Sequence, residues 1–255
     1  MSPSMTRLVS LTRREVSRFM KIPRQTIGAP LLETFLYISI FGAALGSRVG
    51  DLDGYEYVVF VIPGLIMMAF AINAFTNNSS SILQQKFQGA IDDQLSSPAS
   101  PGQLLLAFTL GGFLRGLLIS FITFLAASLL VDLPVKHFLV LIPALFLVGW
   151  FFASLGVLIG VRAEQFDDVS FAQTFILQPL IFLGGVFYSA SLLPEPYQTL
   201  THFNPVYYMI SLIRYGFLGI NDVNIALSLA VLCAATAALT FLNYRMFKSG
   251  YKLRR

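Results

Sequence analysis

The chain has 255 residues, 56% of them apolar (AVILMFWYC) and 12% charged, about half the roughly 25% usual in soluble proteins, and its mean hydropathy is +0.72. Its 17 Lys and Arg against 13 Asp and Glu, net +4, are too few to coat a water-facing globule and form no continuous basic face for a nucleic acid. The single Cys233 excludes an internal disulfide framework, and with only His137 and His202 beside it the chain lacks Cys/His metal spacing.

Residues 1–27 carry six basic side chains ahead of the first long apolar run, with nothing shaped like a cleavage site after it, so no cleavable signal peptide is expected. From Thr6 to Pro23, Leu8, Leu11, Val16 and Phe19 fall on one half of a helical wheel and Arg7, Arg14, Arg18 and Lys21 on the other. That pattern predicts a cytoplasmic amphipathic helix in the headgroup plane, its basic face turned to anionic lipid or an acidic partner. A plain positive-inside anchor explains the same residues.

A bilayer core of ~30 Å needs about 20 helical residues. Six stretches within 28–255 meet this, near 28–47, 57–76, 103–131, 137–160, 169–188 and 224–244. Strand-like alternation is absent, so the expected fold is all-α, a polytopic membrane protein with six transmembrane helices. An even number of spans puts both termini on one side. That side holds 13 basic residues, Arg254 and Arg255 among them, against Arg48, Lys136 and Arg214 on the other, which predicts cytoplasmic termini.

Between the second and third spans, Ser79, Ser80 and Ser81 offer N-caps, and Leu83, Phe87 and Ile91 recur at i, i+4 and i+8. A short amphipathic helix is predicted at about 81–95, with Gln85, Lys86, Asp92 and Asp93 on its polar side. It is shaped either to lie on its own bundle or to dock into another protein. Pro98 and Pro101 follow it. The next cytoplasmic turn carries Arg162, Glu164, Asp167 and Asp168, a run that also fits an ordinary solvated loop. Before the last span, Ser189 to Asn221 is too apolar for a simple connector. Pro194 and Pro196 open it, and Asn204 as N-cap with Pro205 as first helical residue predicts two short helices broken there. Such a pair fits a re-entrant hairpin entered from the outer face, with Tyr207 and Tyr208 at headgroup depth.

Glu33 and Arg115 are ionisable residues inside spans; they either pair, or Arg115 attracts an anionic substrate or lipid phosphate, or both are structural. Gly112 with Gly116 and Gly156 with Gly160 have close-packing spacing, within one subunit or at a dimer seam. Pro63, Pro143 and Pro179 are expected to kink their spans. No Gly precedes any of the five lysines, so a Walker A loop is absent, as are a G-x-S-x-G elbow and an H-E-x-x-H pair. Two other classes stay open on residues alone: a lipid-modifying intramembrane enzyme using His137, His202 or Glu33 with Arg115, and a membrane assembly scaffold.

The order of these parts resembles the ABC-2 type membrane permeases. So do three blocks, YVVFVIPGLIMMAFAINAF (57–75), LSSPASPGQLLLA (95–107) and FLGGVFYSASLLPEPYQTLTHFNPVYYMISLIRYGFLGIND (182–222), and the likeness covers nearly the whole chain. It is nearest to the YadH-type branch of bacterial inner-membrane permeases. The resemblance implies a half-transporter without catalytic residues or cofactor of its own. Two copies of the permease would join two copies of a cytoplasmic ATPase subunit that holds ATP and Mg, exporting a hydrophobic or amphipathic substrate. It further implies that Gln84, Gln85, Lys86, Phe87, Gln88, Ile91, Asp92 and Asp93 form the coupling helix, that the N-terminal helix is the interface helix, and that about 190–214, including Arg214, caps the path outside.

Overall fold

Backbone groups in an apolar medium must be satisfied within their own segment, so a chain this poor in charge forms helices almost throughout. The computed structural model describes residues 3–253; Met1, Ser2, Arg254 and Arg255 lie outside the described residues. Helix α1 (Pro3–Met20) is followed by α2 (Ala29–Ser39) and α3 (Gly46–Val49), with π turns at Arg24–Gly28 and Ile40–Leu45. A two-residue hairpin, β1 (Asp51–Leu52) with β2 (Tyr55–Glu56), leads into α4 (Tyr57–Phe87). Then come α5 (Ala90–Ser96), α6 (Pro101–Leu130), α7 (Phe138–Arg162), α8 (Phe166–Phe171), a π turn at Ala172–Leu177 and α9 (Gln178–Leu183). Last are α10 (Glu195–His202), α11 (Pro205–Leu218) and α12 (Ile225–Ser249).

Among the described residues four helices, α4, α6, α7 and α12, are each long and apolar enough to cross a membrane. The stretches expected as the first and fifth spans are helical runs interrupted by π turns. Two of these turns precede prolines, Pro30 and Pro179, and contain the carbonyls four residues before them, on Thr26 and Phe175. A proline ring clashes with that carbonyl, and a wider turn relieves the clash.

Helix α4 is the centre of the bundle, packed against α6, α7 and α11. Small residues let it come close. A Cβ on Gly112 would lie 2.6 Å from the Asn78 side chain, on Gly116 2.4 Å from the Phe70 ring, on Gly156 2.3 Å from the Phe75 carbonyl oxygen, and on Gly160 2.9 Å from that of Ser79. All four neighbours belong to α4 of the same chain, so both pairs pack within one subunit. Backbone cannot rotate aside as a side chain can. Gly156→Ala is therefore expected to cost about 1–3 kcal/mol by overpacking, seen as a lowered Tm in detergent; an unchanged Tm would show that α7 can shift freely.

Helix α4 also runs further than the sequence pattern suggests. Ser79, Ser80 and Ser81 are not N-caps but lie within the helix: Ser79 Oγ donates to the Phe75 carbonyl (2.9 Å), Ser80 Oγ to that of Thr76 (2.6 Å), and Ser81 Oγ across to Glu15 on α1 (2.6 Å). The helix expected over 81–95 is consequently split. Its first part is roughly the last two turns of α4, Gly89 at φ +70 breaks the helix, and only Ala90–Ser96 forms a separate one.

Candidate functional site

The break at Gly89 sets Ile91 on a helix of its own, apart from Leu83 and Phe87 on α4. Leu83 and Ile91 are buried in the bundle, while Phe87, the last residue of α4, is 46% exposed. Its ring stacks on Phe166 at the start of α8, with centroids 5.3 Å apart and planes 12° from parallel, and Phe166 is also exposed. Beside the aromatic pair, Lys86 Nζ donates to the carbonyls of Val161 (2.9 Å) and Ala163 (2.6 Å), joining the end of α4 to the α7–α8 turn. The two loops that the sequence predicts to be cytoplasmic thus form one surface.

Of the residues assigned to the coupling helix, Gln84, Phe87, Gln88, Asp92 and Asp93 are exposed, Lys86 is half-buried, and Gln85 and Ile91 are buried. Arg162, Glu164, Asp167 and Asp168 of the second loop are exposed. Asp168 accepts from the backbone N–H of Glu164 (2.8 Å) and Gln165 (3.1 Å), and these bonds hold its carboxyl below the usual range. Lys252 Nζ donates to Glu164 at 2.7 Å, which lowers the Glu164 carboxyl and raises the Lys252 ammonium. An apolar centre with an acidic rim is suited to a partner surface with an apolar slot and basic margins.

Helix α1 braces this surface from behind. Three of the four residues on its basic face also bond within the protein, while Lys21 stays exposed. Arg7 donates to the Pro98 carbonyl (2.8 Å), Arg14 to Glu15, Gln85 and Gln94, and Arg18 to the backbone and side-chain oxygens of Asn77 (both 2.8 Å). The cause is Glu15, buried at 1% exposure, which accepts from Ser81, Gln85 and Arg14 and draws the cations inwards. Gln94 of α5 closes the ring through a short hydrogen bond to Gln85. Glu15, Gln94, Asn77 and Phe166 were not singled out from the sequence. A lone acid among six bases, three residues before Arg18, was the available signal for Glu15; Phe166 had none.

At the other end the expected break is present: Asn204 caps α11, accepting from the Val206 N–H (3.0 Å), with Pro205 as first residue, and α10 follows Pro194. Asn204 Nδ2 also donates to the Leu180 carbonyl (2.6 Å). Tyr207 is buried with its ring edge-on to His202, and Tyr208 Oη donates to the His202 carbonyl (2.9 Å). Arg214 is buried at 1% exposure. It forms an ion pair with Asp222 (2.9 Å), donates to the Gly185 carbonyl (2.7 Å) and lies 4.0 Å over the Phe60 ring.

No ion pair joins Glu33 to Arg115 among the described residues. Glu33 is exposed on α2, and Arg115 is buried on α6 with its Nε unpartnered. His137 stacks on Tyr215 (4.3 Å) while His202 meets Tyr207, and no hydrogen bond or ring contact brings the two histidines together. Among the described residues no three His, Cys, Asp or Glu side chains converge as metal ligands would.

Residues 6–218 match the ABC-2 type transporter family. The chain is 40% identical over 247 residues to the inner membrane transport permease YadH of Escherichia coli K12, covering 97% of this chain and 96% of the relative. It is 27% identical to nodulation protein J of Sinorhizobium fredii NGR234 (92% of this chain, 90% of the relative) and 27% identical to that of Rhizobium leguminosarum bv. viciae (88% and 87%).

Proposed function

The chain belongs to the ABC-2 type transporter family, as a membrane permease paired with an ATPase subunit, and from that premise we propose how it works. It is a multi-pass protein of the bacterial inner membrane. In our reading it has six spans, with the runs around α2 and α8–α9 completing the four long helices, and both termini are cytoplasmic. Two copies associate with two copies of the ATPase, which binds ATP and Mg. The hairpin of α10 and α11 enters the membrane from outside without crossing it.

The observation that carries this reading is the exposed Phe87–Phe166 pair, fixed between two loops by Lys86 and rimmed with acids. Gln84, Gln88, Asp92, Asp93, Arg162, Asp167 and Asp168 surround it as the docking rim. ATP closes the partner subunits, the docked surface moves with them, and the bundle converts that motion into access on the other side. Nucleotide drives the change through its different affinity for the two states of the complex. The cargo is hydrophobic or amphipathic and moves outwards. An apolar cleft of about 310 Å³, walled by Leu117, Phe121, Phe124, Phe138 and Leu145 among others, supports such a cargo.

Purification of the tagged chain from its native membranes tests this reading. The eluate is expected to contain a second polypeptide with a Walker A sequence and to hydrolyse ATP in a Mg-dependent way. Transport by the permease alone in liposomes, with no second polypeptide bound, would refute it.

A further inference from the structure

Between the last turns of α1 and α4 lies a cavity of about 350 Å³, whose walls include Arg14, Arg18, Lys21, Gln84, Gln85 and Gln88. Three cations face one acid there, Glu15, and that acid is already engaged: its two oxygens accept from Arg14, Gln85 and Ser81. The surplus is therefore about two positive charges.

The arginines also keep donors in reserve. Every hydrogen bond made by the Arg14 guanidinium runs through Nη2, and those of Arg18 through its own Nη2 to Asn77. Arg18 Nε is buried and without a hydrogen-bond partner, 3.5 Å from Glu15. Arg115 adds a further positive charge within Coulombic reach of Arg18. Lys21 is exposed at the edge of the cavity. Guanidinium forks with an ammonium and neutral amides match a phosphate, whose charged oxygens each accept more than one hydrogen bond.

We propose that this cavity binds a phosphate anion, carried by an anionic phospholipid headgroup or by a free phosphate-bearing solute. The ligand bridges α1 to the end of α4, directly behind the docking surface. This inference does not depend on the transport reading, since binding is measured with the permease alone.

The test uses the full chain in detergent and native mass spectrometry with added phosphatidylglycerol, phosphatidylcholine or inorganic phosphate. One phosphatidylglycerol is expected to bind at least tenfold more tightly than phosphatidylcholine, whose choline offsets the phosphate charge. Lys21→Gln, which breaks no internal bond, should weaken this binding about three- to tenfold, and Arg14→Gln more. Arg13→Gln, on the same helix but outside the cavity, should leave it unchanged. Displacement of the lipid by inorganic phosphate would identify the ion as the sufficient ligand, and resistance to displacement would identify the headgroup; both support the site. Equal binding of the two lipids, or equal losses in Lys21→Gln and Arg13→Gln, would overturn it.

Discussion

Phe87→Asp should abolish transport while the permease still reaches the membrane folded. Phe87 is half in solvent and contributes to its own subunit little beyond the stack on Phe166, a contact worth about 0.5–1.5 kcal/mol. In the proposed docking surface it is the central aromatic anchor, a position where such groups carry about 2–4 kcal/mol of binding. Aspartate removes the anchor and adds a carboxylate to a surface that already carries Asp92, Asp93, Glu164, Asp167 and Asp168. ATP-driven transport is expected to fall by roughly 30-fold or more, with hydrolysis by the ATPase subunit no longer tied to cargo movement. Phe87→Leu, which keeps the apolar character, should retain a substantial part of the activity. Measured in inverted vesicles, undiminished transport by Phe87→Asp would move the docking surface elsewhere.

Arg214→Ala is expected to destabilise the fold by about 3–5 kcal/mol, the range for breaking a buried ion pair from one side. Three partners lose their donor or cation together: Asp222, the Gly185 carbonyl and the Phe60 face. Asp222, at 13% exposure, is left with little water to replace the guanidinium. Arg214→Met with Asp222→Asn removes both charges at similar volume and should recover part of the loss. Thermal unfolding of the three forms in detergent checks this, and a single-variant Tm within a degree or two of the parent would show the latch to be unimportant.

The apolar spans were legible because hydropathy over ~20 residues is set by the solvent itself. The break at Asn204–Pro205 was legible because cap and first-turn chemistry is local. The glycine pairs announced close approach, though only the fold shows that α4 is what approaches. The misread positions depended on distant partners. Ser79, Ser80 and Ser81 look like caps until Glu15, more than sixty residues away, supplies an acceptor for Ser81 and the helix continues through them. Arg14 and Arg18 look like cations spent wholly outside the protein until Gln85, Gln94 and Asn77 appear across from them and take part of each guanidinium. Phe87 was parted from Ile91 by one left-handed glycine, Gly89, whose conformation periodicity does not encode.

Helix α4 has 31 residues, and at 1.5 Å per residue it reaches ~46 Å, from the docking aromatic Phe87 to Tyr57, whose hydroxyl holds the Phe187 carbonyl. In the proposed mechanism it would serve as a lever arm: a tilt of ~5° about a pivot midway along the rod swings each end ~2 Å, in opposite directions. A stroke applied at Phe87 would then carry Tyr57 the other way and stretch its 3.0 Å bond.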